Sequence, residues 1–117
     1  MHAATTLTLY TSQSPEVAQQ TVDAFNKKHP DIKVEWTRNG TSQLMNIMSA
    51  EREAGGIKAD VLLIADPINL GMLKRDGVLL PWPEAPVEGI DAQLYDKDLT
   101  FFGTKLSTTG IVYNTQN

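Results

Sequence analysis

Small hydroxyl, amide and carboxylate side chains gather in four short stretches of the 117-residue chain: Thr11-Ser12-Gln13-Ser14, Asn39-Gly40-Thr41-Ser42, Ala65-Asp66 and Ser107-Thr108-Thr109-Gly110. In the first three, a strand pattern ends and a helix pattern begins. Free backbone N–H groups at a helix N-terminus, flanked by small hydroxyls, suit a phosphate, phosphonate or carboxylate. Each stretch taken singly is also what an ordinary helix cap looks like. Three of them at the carboxyl edge of one parallel sheet would form an anion site. Other chemistry finds little support. The chain has no Gly-x-Gly-x-x-Gly, no Walker loop and no Gly-x-Ser-x-Gly. His2 lies in the terminal segment, and His29, beside Pro30, reads as a partner for the negative end of a helix dipole. No Cys/His cluster suits zinc. Asp60 and Asp66 flank a strand, and six extended residues hold them roughly 20 Å apart, too far for a carboxylate pair. Asp91, Asp96 and Asp98 lack the glycine and terminal Glu of a calcium loop and read as solvated surface. Trp36 and Trp82 read as core and cover. No catalytic residue, metal ligand or cofactor is expected.

The elements that must position these stretches follow from hydrophobic spacing. Leu7-Thr8-Leu9-Tyr10 alternates with period two and predicts a strand over 6–11. Ser14 then caps a helix with Pro15 at its first position, and Ala18, Thr21, Val22 and Phe25 recur at helical spacing to about Lys28, where Pro30 forbids continuation. Ile32, Val34 and Trp36 alternate with Lys33, Glu35 and Thr37, predicting a strand with one polar face. Thr41 or Ser42 caps a second helix, with Leu44, Ile47, Met48 and Glu51 along one face, Met45 beside them, and Gly55-Gly56 at its end. The unbroken run Val61 to Ile64 predicts a strand buried on both faces, about which the chain is organised. Asp66 and Pro67 open a third helix with Ile68, Leu70, Met72 and Leu73 turned to the core and Gly77 as its stop. The order is β-α-β-α-β-α, the pattern of an α/β parallel sheet with covering helices. Beyond it, Pro81, Pro83 and Pro86 mark an irregular acidic segment over 81–98, residues 100–104 read as a strand or strand edge, and Ile111-Val112-Tyr113-Asn114 as a last short strand.

Composition sets the frame. The length suits one domain able to bury a core unaided. Hydrophobic residues make up 41% and charged residues 21%, which reads as globular. The net charge of -4, with scattered basic residues, argues against nucleic acid and anionic membrane surfaces as partners. There is no cysteine, which fits an oxidising compartment without requiring one. No apolar run approaches the roughly 20 residues of a membrane-spanning helix. His2-Ala3 reads either as the tail of an Ala-x-Ala cleavage site behind an added Met1 or as an ordinary cytosolic start.

Leu9-Tyr10-Thr11-Ser12, the block Ala59-Asp60-Val61-Leu62-Leu63-Ile64-Ala65-Asp66, and the ending Thr109-Gly110-Ile111-Val112-Tyr113-Asn114-Thr115 resemble the periplasmic solute-binding proteins of bacterial ABC importers. The nearest branch includes ferric-iron, hexose-phosphate and aminoethylphosphonate binders. The likeness covers nearly the whole chain in the right order. It implies a three-layer lobe of a type II periplasmic binding protein, in a family whose ligand is trapped between two lobes joined by hinge strands. The sequence departs from the family by stopping where the first lobe would cross to the second. The expectation is therefore a single lobe over residues 1–117, engineered, proteolysed or naturally split. Its partner would be the missing second lobe, a second polypeptide or a second copy in a homodimer. The tyrosines with which some members bind ferric iron would lie beyond the chain, and Ser14 stands in the loop where several carry a His. A sugar phosphate or phosphonate is accordingly expected ahead of iron.

On that resemblance Ser12 and Gln13 contact ligand from the first loop, and Thr41 and Ser42 hold its anionic group. Asp66 accepts hydrogen bonds from ligand hydroxyls or an amine, and Thr108 and Thr109 approach from the hinge side. An ABC permease is the implied partner of the full-length protein and the periplasm its location, the signal peptide being absent from this chain. A reading from a different class is a protein-interaction module of the same fold, whose sheet edge and uncovered face pair with another chain and which has no small ligand of its own.

Overall fold

The structure is a computed structural model and describes residues 5–104, 110–112 and 114–116. Six elements follow one another as β1 (Thr5–Thr11), α1 (Pro15–Lys28), β2 (Ile32–Arg38), α2 (Thr41–Glu53), β3 (Val61–Leu63) and α3 (Pro67–Arg75). The alternating order expected from hydrophobic spacing is the order observed. The chain divides into two compact units, with the division between Asn69 and Leu70.

In the first unit the sheet is parallel, in the order β2-β1-β3. The organising strand is therefore β1, which pairs along its whole length with β2 and through Leu9, Tyr10 and Thr11 with β3. This corrects the expectation that residues 60–64 form the central strand buried on both faces. β3 has three residues, flanks β1 on one side, and leaves Val61 42% exposed. Leu9, Tyr10 and Thr11 are the buried residues of the sheet. Thr11, the first residue of the polar stretch Thr11-Ser12-Gln13-Ser14, is fully buried, because its hydroxyl has partners inside the sheet.

Successive strand residues point to opposite faces, and the contacts on β1 and β2 separate the two helices accordingly. Trp36, in register with Leu9, donates its indole N–H to Gln19 of α1 at 3.3 Å. Tyr10, on the other face, donates its hydroxyl to Glu51 of α2 at 2.7 Å. Helix, sheet and helix thus make three layers.

Local chemistry explains each helix. Ser14 accepts from the Val17 N–H, Pro15 opens α1, Ala18 and Val22 are its buried face, and the His29 N–H closes it on the Phe25 carbonyl at 2.9 Å. In α2, Leu44 and Met48 are buried as expected, while Ile47 is exposed and Glu51 is held as a hydrogen-bond acceptor. α2 ends where Gly56 and Gly55 donate to the carbonyls of Glu51 and Arg52, with Gly55 at φ 126. α3 presents Leu73 to the interior, whereas Ile68 and Met72, also expected there, are exposed. A nine-residue helix offers a narrow buried stripe, and Leu73 occupies it.

The second unit begins within α3. Val78 and Gly77 donate to the carbonyls of Leu73 and Lys74, so the helix stops at Gly77 as its sequence implied. Residues 78–99 are irregular apart from one 3-10 turn at Ala92–Leu94. Lys74 bridges Asp96 at 2.8 Å and Asp98 at 2.7 Å. Burial pushes the Asp96 carboxyl up, but hydrogen bonds from Lys74 and from Thr100 outweigh it and hold the group at about 2. The expected strand over 100–104 is only one antiparallel bridge between Tyr95 and Phe102. That bridge is made by the Gly103 N–H donating to the Leu94 carbonyl and the Asp96 N–H to the Phe101 carbonyl, and the first approach is so close that a Cβ at Gly103 would lie 2.6 Å from the Leu94 oxygen. The expected strand over 111–114 is likewise not formed by its described residues: Ile111 and Val112 are 91% and 99% exposed and pair with no other strand. Tyr113, Thr108 and Thr109 lie outside the described residues.

Candidate functional site

A parallel sheet sends every strand-to-helix loop to the same edge. Thr11, Arg38 and Leu63 end their strands side by side, in register. Ser12-Gln13, Asn39-Gly40 with Thr41-Ser42, and Ile64-Ala65-Asp66 therefore emerge together along one rim of the first unit. β1 lies between strands reached by crossovers in opposite directions, which makes its carboxyl end the switch point where α/β sheets open a crevice.

The rim is knitted around Ser12. Its N–H donates to the Leu63 carbonyl at 3.1 Å, and its Oγ accepts from the Ala65 N–H at 3.1 Å. The first loop is thus fastened to the third. Below it, Thr11 donates its hydroxyl to the same Leu63 carbonyl at 2.9 Å and accepts from the Gln13 N–H at 3.1 Å. Toward the second loop, the Asn39 N–H reaches the Thr11 carbonyl at 3.2 Å, and the Arg38 guanidinium donates to the carbonyls of Gln13 and Ser12 at 3.1 and 3.5 Å.

The sequence-predicted residues divide by what already occupies them. Ser12 spends one lone pair on Ala65 and keeps its O–H as a donor. Asp66 uses both carboxylate oxygens within its own helix start, accepting from the Ile68 N–H and the Asn69 amide at 2.8 Å each. Its expected contact with ligand hydroxyls or an amine therefore competes with its role as a cap. Thr41 and Ser42 do not cap α2, contrary to the sequence reading. The cap position is Gly40, which offers no side-chain acceptor, and Thr41 and Ser42 lie within the first helical turn. The Gly40 N–H is held by Gln43 at 3.3 Å. The first-turn amides of α2 thus receive no acceptor from their cap, whereas Ser14 caps α1 and the Asp66 carboxylate accepts at the start of α3. Thr108 and Thr109 cannot be placed against the rim, being outside the described residues.

Two residues of the rim escaped the sequence reading. Thr11 was taken as part of a polar loop, and its burial became visible only with the sheet order. Arg38 was given no role, although a cation one residue before Asn39-Gly40-Thr41-Ser42 is itself a signal. Behind the rim, Glu51 accepts from both the Tyr10 hydroxyl and the Lys58 N–H, fixing α2 to the sheet. The hydrogen bond to Glu51, with burial and the carboxylate charge, raises the Tyr10 hydroxyl above its ordinary value, so it remains a donor at neutral pH. Among the described residues no group of three His, Asp or Glu side chains could hold a metal ion, and no helix is long and apolar enough to cross a membrane.

A parallel sheet between two helix layers, with helix starts converging on a switch-point rim, is the architecture of a ligand-binding α/β lobe. The chain matches the family of bacterial extracellular solute-binding proteins over residues 11–117 and belongs to it. Among solved structures it is similar to the Trichodesmium protein IdiA (FutA), determined in complex with iron and citrate ligands. The two share 25% identity with a TM-score of 0.70, over 84% of this chain and 30% of that one. The chain thus spans less than a third of that protein's length. No curated protein matches it.

Proposed function

We propose that this chain is the ligand-binding lobe of a substrate-binding protein serving an ABC importer, and that its rim supplies half a cleft for a small anionic solute. The observation that carries the reading is the fastening of three strand-ending loops around Ser12, beside a helix start whose cap has no side-chain acceptor. Ser12, Gln13, Thr41 and Ser42 are its contacts, with Asp66 at the margin. A sugar phosphate or phosphonate is the preferred class. The relative solved with iron and citrate also holds an anion, citrate, while this chain has Ser14 rather than a His in its first loop. The full-length protein would work outside the cytoplasm with a permease and a second lobe, whether from its own chain or from another polypeptide.

The test is an NMR titration of the 117-residue chain with glucose 6-phosphate, 2-aminoethylphosphonate, citrate and ferric citrate. The phosphorylated or phosphonate probes are expected to shift the backbone amides of Ser12, Thr41 and Ser42, and iron to add nothing to citrate. One cleft wall leaves the ligand open to water, so affinity should be weaker than about 1 μM, a binding free energy smaller than about 8 kcal/mol in magnitude. Tighter binding by a verified monomer, or no shifts up to about 10 mM, overturns the reading, the latter limit being under about 3 kcal/mol.

A second reading has its own observation. Ile111, Val112 and Leu80 are almost fully exposed apolar side chains, the kind of surface that recruits another chain. On this reading the chain is an assembly module, pairing with a second copy or another polypeptide. Light scattering over a concentration series should then give a mass that rises above 12.9 kDa. A constant mass at that value ends the homodimer, and the chain truncated before Gly110 should in that case also be a monomer.

A further inference from the structure

Arg38 is the one cation whose hydrogen bonds, among the described residues, run to the loop that follows β1. Its Nε donates to the Gln13 carbonyl and its Nη2 to the Ser12 carbonyl. A guanidinium has five N–H donors in a planar fork. Two are used here, which leaves three, including both hydrogens of Nη1. Among the described residues no carboxylate is paired with Arg38, although the chain carries a net charge of -4. Carboxylates elsewhere are engaged: Glu51 by Tyr10, Asp66 by its own helix, and Asp96 by Lys74. The cation therefore sits at the end of β2 on the face to which Trp36 also points, anchored on one edge by the Gln13 and Ser12 carbonyls, which do not cancel its charge.

We propose that Arg38 is the charge-selecting residue of the rim, its unanchored N–H edge taking the phosphate or phosphonate oxygens of the solute beside the Ser12-Gln13 loop. This rests on the anion-site reading above and assigns that site a residue which the loop motifs do not contain. Two features favour it. A bidentate guanidinium is well matched to tetrahedral oxyanions. The two backbone carbonyls also hold the fork in place before ligand arrives, so little side-chain freedom is lost on binding. Lysine would keep the charge but lose both the anchoring and the paired donors.

The experiment compares the wild-type chain with Arg38→Gln and Arg38→Lys, using glucose 6-phosphate and uncharged glucose as probes at two salt concentrations. Arg38→Gln is expected to weaken glucose 6-phosphate about 10- to 100-fold, the range of one charge-assisted hydrogen-bonded contact, and to flatten the salt dependence. Arg38→Lys should fall between the two. In the wild type, the Arg38 side-chain N–H signals should move with glucose 6-phosphate and stay still with glucose, a readout that survives even if a variant folds poorly. A residue that only braces the loop would show no such movement, and the salt dependence would persist in Arg38→Gln. That result, or Arg38→Gln binding within twofold of wild type, overturns the proposal and leaves the anion site standing. Wild-type protein whose rim amides and Arg38 signals are both unmoved by glucose 6-phosphate overturns both.

Discussion

Leu44→Ala is expected to destabilise the protein by about 2–5 kcal/mol, the range for removing a fully enclosed leucine side chain. Leu44 is 0% exposed and lies one turn inside α2, which packs against β1. The site can collapse little, because α2 is tied near its other end by the Glu51 hydrogen bonds and β1 is held by strands on both sides. With total stabilities of about 5–15 kcal/mol for domains of this kind, such a loss would lower the urea midpoint steeply. Ile47→Ala supplies the internal comparison. It sits on the same helix at 37% exposure and should cost no more than about 1 kcal/mol. Equal effects at the two positions would mean that α2 is not docked by the Leu44–Met48 face.

Ser42→Asp should move stability and binding in opposite directions. Ser42 lies in the first turn of α2 and is exposed. A carboxylate there meets the positive end of the helix dipole and should stabilise the fold by about 0.3–1 kcal/mol. The same charge would stand about 4–5 Å from an anion held by the first-turn amides. At surface dielectrics that repulsion is worth about 1–4 kcal/mol, or at least about a fivefold loss of affinity. A higher melting temperature together with lost glucose 6-phosphate binding is the expected pair. If stability rises while binding is untouched, the hydroxyls at the start of α2 belong to the helix alone.

The alternating elements were legible because each carries its own local chemistry. Ser14-Pro15, Asp66-Pro67, Gly55-Gly56 and Gly77 mark helix ends by backbone geometry that depends on neighbours a few residues away. The rim was legible for the same reason, since parallel strands joined by helices must send their loops to one edge. Sheet order was not. The apolar run at Val61 to Ile64 looked more deeply buried than Leu7 to Tyr10, and only pairing between distant strands decides which lies inside. Thr11 is the clearest case: its hydroxyl reads as solvent-facing until β3 places the Leu63 carbonyl within 2.9 Å. The first turn of α2 failed differently. Thr41 and Ser42 are both good caps, but Gly40 takes the cap position and Gln43 supplies the reciprocal bond. Residues 100–104 have strand-like composition, yet among them only Phe102 is paired, in a single bridge to Tyr95. Arg38 lay outside the hydroxyl motifs, and its role depends on where two backbone carbonyls sit.

The loops of the rim are joined mainly by backbone groups: Ser12 N–H to Leu63, Asn39 N–H to Thr11, Ala65 N–H to the Ser12 hydroxyl. No side-chain atom of Gln13, Thr41 or Ser42 takes part in those joints. Exchanging these three residues therefore leaves the frame that carries them in place. Scaffold and recognition surface are separable, and a small combinatorial library at Gln13, Thr41 and Ser42 should yield folded lobes with altered anion preference far more often than one that also varies Thr11 or Ser12.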